Sequence, residues 1–118
     1  MIQASCHCGA IELEIDLAPE EITDCNCSIC RRYGALWAYY SPAQVHIVQP
    51  ASTDIYTWDD KSIQFHRCRN CGCVTHWSAV AASTDRMGVN ARLMAPDVVK
   101  RARLRFLDGA VTERYLDE

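Results

Sequence analysis

Most of this chain alternates apolar and polar residues on a period of two, in short segments separated by turn residues, which predicts β-strands rather than helices. The clearest case runs from Ile11 to Leu17, where Ile11, Leu13, Ile15 and Leu17 share one face and Glu12, Glu14 and Asp16 the other. Further strands are predicted over Leu36 to Tyr40, Val45 to Val48, Thr53 to Trp58, Ser62 to Arg67, Val74 to Ser78 and Met87 to Asn90, all rich in β-branched or aromatic residues. Trp58-Asp59-Asp60-Lys61-Ser62 reads as a hairpin turn and Asp108-Gly109 as a second turn. Helical signal is scarce. Ser28 to Tyr33 supports one short turn, and the segment from Pro96 to Ala102 carries proline at a first-turn position. The expectation is a mainly β fold of roughly two small antiparallel sheets.

At 118 residues the chain makes a single domain, residues 1–118, with room for one modest core, and no internal repeat or linker divides it. No apolar run approaches the roughly 18 residues of a membrane span. The first residues lack the basic start and apolar stretch of a secretory signal, so a reducing, cytoplasmic setting is expected. The net charge of −3 has the wrong sign for a domain that grips phosphate backbones, and nucleic acid is disfavoured as a partner. The basic run from Lys100 to Arg105 reads as a solvated helix end passing into a strand. Nothing in the sequence speaks to oligomeric state.

Cysteine changes this picture. Seven of the eight cysteines fall in three clusters, Cys6-His7-Cys8-Gly9, Cys25-Asn26-Cys27-Ser28-Ile29-Cys30 and Cys68-Arg69-Asn70-Cys71-Gly72. Four disulfides would admit 105 connectivities, but in a reducing setting thiols so closely spaced share a metal more naturally than they bridge distant strands. Tetrahedral zinc takes four ligands at about 2.3 Å. The pairs Cys6/Cys8 and Cys68/Cys71 sum to four and suit a closed structural site. The triplet Cys25/Cys27/Cys30 leaves one position open, the pattern of a catalytic zinc. Cys73 reads as core filler or an alternative ligand, and His7, His46, His66 and His76 are further candidates for the fourth position, His66 and His76 foremost because they flank the third cluster.

In that order, Cys6-His7-Cys8-Gly9-Ala10-Ile11, Cys25-Asn26-Cys27-Ser28-Ile29-Cys30-Arg31-Arg32 and Phe65-His66-Arg67-Cys68-Arg69-Asn70-Cys71-Gly72, with Gly88-Val89-Asn90-Ala91-Arg92 as a late strand, resemble the glutathione-dependent formaldehyde-activating enzyme family, which includes the centromere protein V relatives. The resemblance covers residues 2 to about 95. It implies a β-tent fold stapled by one zinc on Cys6, Cys8, Cys68 and Cys71, with a second zinc at Cys25, Cys27 and Cys30. It also implies a carbon–sulfur lyase acting on a thiol–aldehyde adduct of the S-hydroxymethylglutathione type, made from glutathione and formaldehyde, with a small thiol as partner.

Three thiolates make zinc a weak Lewis acid that favours another sulfur over hydroxide as its fourth ligand, and metal binding brings that thiol into its nucleophilic form near neutral pH. Arg31, which follows the triplet, is the candidate substrate-binding residue for a carboxylate, with Arg32 read as solvent-facing. Tyr33, Trp37, Tyr39 and Tyr40 read as pocket wall or as core. The alternative from another class is a non-catalytic, zinc-stabilised binding module whose triplet is closed by a fourth protein ligand. A thiol redox switch at the triplet ranks below both.

Overall fold

The computed structural model describes residues 1–48 and 53–117. Among them, eleven strands form two open sheets. The smaller sheet has the order β1 (Ile2–Ser5), β2 (Glu12–Ile15), β5 (Val45–Ile47). The larger has the order β11 (Arg114–Tyr115), β10 (Arg103–Asp108), β3 (Glu21–Cys25), β4 (Trp37–Tyr40), β9 (Met87–Asn90), β8 (Val74–Ala79), β7 (Ile63–Cys68), β6 (Thr53–Thr57). Two six-residue helices complete the elements that matter below, α1 (Ser28–Tyr33) and α2 (Pro96–Arg101).

The alternating segments explain the packing. Ile11, Leu13 and Ile15 are each buried, and they meet Ile22, Leu36, Ala38, Tyr40, Val89 and Met94 in the main core between the two sheets. Leu17 departs from its predicted face. The strand ends at Ile15: the Asp16 amide still donates to the Gln44 carbonyl, but the Gln44 amide is turned back to the Ser41 carbonyl, and Leu17 is left 45% exposed. A second, smaller core cluster holds Cys25, Cys30, Ala35, Trp37 and Phe65.

The mainly β architecture is as expected, but its pairing is not wholly antiparallel. β10 lies parallel to β3, with Leu107 opposite Cys25. This brings the C-terminal part of the chain alongside the second cysteine cluster. Nor is the basic run simply solvated. The Arg105 guanidinium stacks 3.8 Å over the Tyr115 ring and meets Glu21 and Asp117, while Leu104 and Phe106 face outward.

His66 and His76 stack face to face, ring centroids 4.2 Å apart, across the β7–β8 pair. Burial, with the neighbouring His66 adding to it, holds His76 down to about 3. An unfolded chain protonates this side chain near its ordinary value of about 6.5. Between about 6.5 and about 3 the unfolded state therefore binds a proton that the folded state refuses. Stability contributed by neutral His76 is full above this window and falls as pH drops through it, by at most about 1.4 kcal/mol per pH unit. Thermal melts across this range should show a steeper acid loss for the native chain than for His76→Gln, and parallel curves would count against the argument.

Candidate metal centres

The two candidate centres grow out of turns. Gly9 and Gly72 each follow the second cysteine of a pair and both adopt φ of +80°, a left-handed conformation that glycine takes without a Cβ clash. The chain thereby folds back so that the Ile11 amide donates to Cys6 Sγ at 3.3 Å, and within the other pair the Asn70 amide donates to Cys68 Sγ at 3.4 Å. Cys6 and Cys8 come from the β1–β2 connection, Cys68 from the end of β7 and Cys71 from the turn that follows. Their four sulfurs all lie within 4.8 Å of one another, with Cys6–Cys8 at 3.7 Å and Cys8–Cys68 at 3.6 Å.

Sulfurs about 2.3 Å from one tetrahedral metal stand about 3.8 Å apart, so the spacing and the all-thiol donor set fit a zinc-type site. Backbone amides of Cys73 and Cys8 hold the Cys71 thiol down to about 5, whereas burial pushes Cys6 up to about 11. Cys73 lies outside this quartet and packs against the main core.

Cys25, Cys27 and Cys30 form the second group, their sulfurs also within 4.8 Å of one another. Cys25 ends β3, Cys27 caps α1 by accepting the Cys30 amide at 3.4 Å, and Cys30 sits inside the helix. The Trp37 indole N–H donates to Cys30 Sγ at 3.3 Å from the floor of the smaller core. Cys25 is held well below the ordinary thiol range, chiefly by the Cys30 thiol donating to it, with the Cys27 and Gly109 amides adding to the effect against burial. Cys30, the donor of that pair, is pushed up by holding the proton and by its own burial.

Among the described residues, no fourth cysteine, histidine or carboxylate joins the triplet. Both ring nitrogens of His66 are engaged by the Thr53 and Ser78 hydroxyls, and His76 is committed to the Thr75 hydroxyl. His46 pairs with Asp16 on the smaller sheet. His7 is exposed on the first cluster's turn.

Gly109 is the residue whose part at the triplet the turn signal did not reveal. A Cβ built there would stand 2.5 Å from Cys25 Sγ and 3.4 Å from Cys27 Cβ. The loop carrying it is pinned to the cluster by Asn26, which donates to Asp108 Oδ1 at 3.0 Å and accepts the Ala110 amide at 3.0 Å. A hint lay in the sequence, since glycine often marks close approach, but nothing local tied Asp108-Gly109 to a cluster some 80 positions earlier.

One hollow adjoins the triplet and a second lies beside the first. One, of about 230 Å³, is lined by Cys27 and Cys30 with Asp59, Asp60, Ser62 and Phe65. The other, of about 360 Å³, contains Arg32, Arg67, Tyr33 and Tyr56. Ile29 and Trp58 line both and so form the ridge between them. Arg31 is exposed and lines neither, whereas Arg32, which donates to the Ser28 carbonyl at 2.8 Å, lines the larger. Of the candidate wall aromatics only Tyr33 faces these hollows; Trp37 and Tyr40 are core, and Tyr39 packs against Trp77 and Arg86.

Two open sheets joined by a four-cysteine cluster, with a three-cysteine cluster beside an accessible hollow, define a small β protein built around two candidate metal centres. The sequence model of the glutathione-dependent formaldehyde-activating enzyme family matches residues 1–112, and the chain belongs to that family. The match runs beyond residue 95 and takes in Gly109. A crystal structure of a Rhodobacter sphaeroides protein, from a structural genomics effort, is similar at 28% identity and a TM-score of 0.70, over 86% of this chain and 98% of that one.

Proposed function

We propose that this protein is a zinc-dependent carbon–sulfur lyase that acts on thiol–aldehyde adducts of the S-hydroxymethylglutathione type at the Cys25/Cys27/Cys30 centre. The observation that carries this reading is a triplet of mutually close sulfurs with no fourth protein ligand among the described residues, two of which line a hollow. A zinc ion held there supplies a soft centre that keeps a thiol in its thiolate form. In the lyase direction the adduct's hydroxyl proton leaves, the C–S bond breaks with its electron pair going to sulfur, and the C=O bond of the aldehyde forms. The Asp59 carboxylate at the hollow's rim is the proposed acceptor of that proton, while Asp60 Oδ1 already accepts the Ser62 amide at 3.0 Å. Trp37 fixes Cys30 from below, and Phe65 and Ile63 exclude water from the inner wall. The Cys6/Cys8/Cys68/Cys71 site has a structural role in this reading, and the reliance on reduced thiols fits a cytoplasmic setting. No helix among the described residues is long and apolar enough to cross a membrane.

The test is thiol-dependent formation and breakdown of a hemithioacetal, followed on zinc-loaded protein. Cys27→Ala should lower the rate by about 100-fold or more, the scale of several kcal/mol of metal stabilisation, with the four-cysteine site still loaded. Equal rates for variant and native chain, together with a triplet metal bound by four protein atoms, would instead establish the non-catalytic binding module.

A further inference from the structure

The larger hollow has a charge and shape that the lyase reading leaves unused. Its neighbour is lined by Cys27 and Cys30 together with two carboxylates, Asp59 and Asp60, and has no cation among its lining residues. Across the Ile29–Trp58 ridge, the larger hollow contains two guanidinium groups, Arg32 and Arg67, and no acid among its lining residues. Arg67 is incompletely matched. Its nearest carboxylate, Asp54, lies 3.9 Å from Nη2, at the limit of an ion pair, and the same carboxylate takes a closer 2.9 Å bond from Arg69. The Arg67 side chain is 44% exposed, so its fork is open to a ligand. Tyr56 and Trp58 beside it are likewise exposed, at 46% and 42%, more than the scaffold's core would require of two large aromatics.

We propose that the Arg67 hollow is the specificity subsite of the triplet centre: it takes a carboxylate remote from the sulfur of a thiol substrate, with Arg67 as the specificity-determining residue. This rests on the reading of the triplet as the reacting centre. The sign of the two hollows gives a substrate only one orientation. A carboxylate is repelled by the thiolates and by Asp59 and Asp60, and is attracted by the arginines, so the sulfur reaches Cys27 and Cys30 only when the acid lies beyond the ridge. A forked guanidinium binds a carboxylate through two parallel N–H···O bonds, which a lysine does not reproduce. A thiol without an acid gains nothing from the arginines, and one with its acid beside the sulfur meets the carboxylates of the smaller hollow.

The experiment measures binding rather than turnover, on the zinc-loaded full chain, so that the chemistry is not needed for the result. The probes are N-acetyl-S-methylcysteinylglycine, which carries a remote carboxylate, and its C-terminal amide. Affinity is read from calorimetry and from the shift of the Trp58 indole N–H resonance. The acid should bind at least tenfold more tightly than the amide, in keeping with a charge-assisted pair. Arg67→Gln should reduce the ratio to below about threefold, and Arg67→Lys should leave it between the two. Zinc content and melting temperature guard against a folding defect, and Arg67 points away from the buried face that Cys68 occupies. A ratio near one in the native chain, or a ratio that survives Arg67→Gln in folded protein, overturns the proposal. If the ratio holds but no thiol shows lyase activity, the subsite stands and the proposed reaction falls.

Discussion

Cys68→Ala should lose the cooperative unfolding transition of the native protein, and a strong chelator should do the same to the unmodified chain. Cys68 is 2% exposed and Cys6 4% exposed, both inside the main core. They stand on different sheets: Cys6 and Cys8 in the connection between the first two strands of the small sheet, Cys68 at the end of β7 in the large one. Beyond shared apolar packing, one isolated backbone bridge among the described residues, Ala4 to Met94, ties β1 to the connection that follows β9. A structural zinc in a small peptide contributes about 10–16 kcal/mol near neutral pH, whereas a whole domain of this size is stable by about 5–15 kcal/mol. The metal term is thus comparable to the entire margin. Removing one thiol also leaves only three ligands for the ion, and the thiols that lose it take back their protons. Thermal melts by circular dichroism, with and without chelator, check this. A Cys68→Ala melt within a few degrees of the native one, or a chelated protein that still unfolds cooperatively at its original temperature, would show that the quartet is not what joins the sheets.

β2 was legible because Leu13 and Ile15 are buried while Glu12 stays exposed, an alternation that survives any choice of neighbours. β8 and β9, which fall almost where Val74 to Ser78 and Met87 to Asn90 place them, were legible instead from residue type and turn boundaries, since Thr75 and His76 are both buried in β8 and all four residues are buried in β9. The 4+3 division of the clustered cysteines was legible for a different reason, since ligand count and turn geometry are local. What escaped was contact between distant parts. β3 was hidden because Cys25 reads first as a ligand and Asp24 breaks the apolar pattern; of β10 the sequence showed only that the basic run passes into a strand, because its inward residue is Arg105, satisfied by Tyr115, Glu21 and Asp117 rather than by a core. The parallel pairing of these two strands has no local signal at all. The same limit applies to Arg31 and Arg32. One helical step decides which of the two lines the hollow, and the orientation of a six-residue helix is set by the sheet beneath it, not by its own sequence.

Gly109→Ala should remove the metal of the triplet while sparing that of the quartet, lowering bound zinc from two ions per chain towards one. The methyl group would stand 2.5 Å from Cys25 Sγ, closer than any relaxed contact, so either the sulfur or the loop must move. Cys25 has little freedom to do so, since it is 7% exposed and lies in the smaller core with Trp37 and Phe65. If the loop moves instead, it breaks the two Asn26 bonds to Asp108 and Ala110 and withdraws the Gly109 amide from the Cys25 sulfur. Both routes alter the position or the ionisation of one ligand in a site that has only three, and loss of one leaves two sulfurs, too few to retain zinc against a modest chelator. The fold should suffer less, because residues 108 to 113 lie near the edge of the large sheet and contribute little to the core. Gly34→Ala is the matched control: its φ of +66° makes alanine costly, yet no atom lies near its Cβ position, so it should lower the melting temperature by a few degrees and keep both metals. Metal analysis after dialysis against a weak chelator separates these outcomes. Two tightly held ions in Gly109→Ala would mean that the C-terminal loop merely rests on the triplet, and that β10 docks beside β3 without shaping the centre at its end.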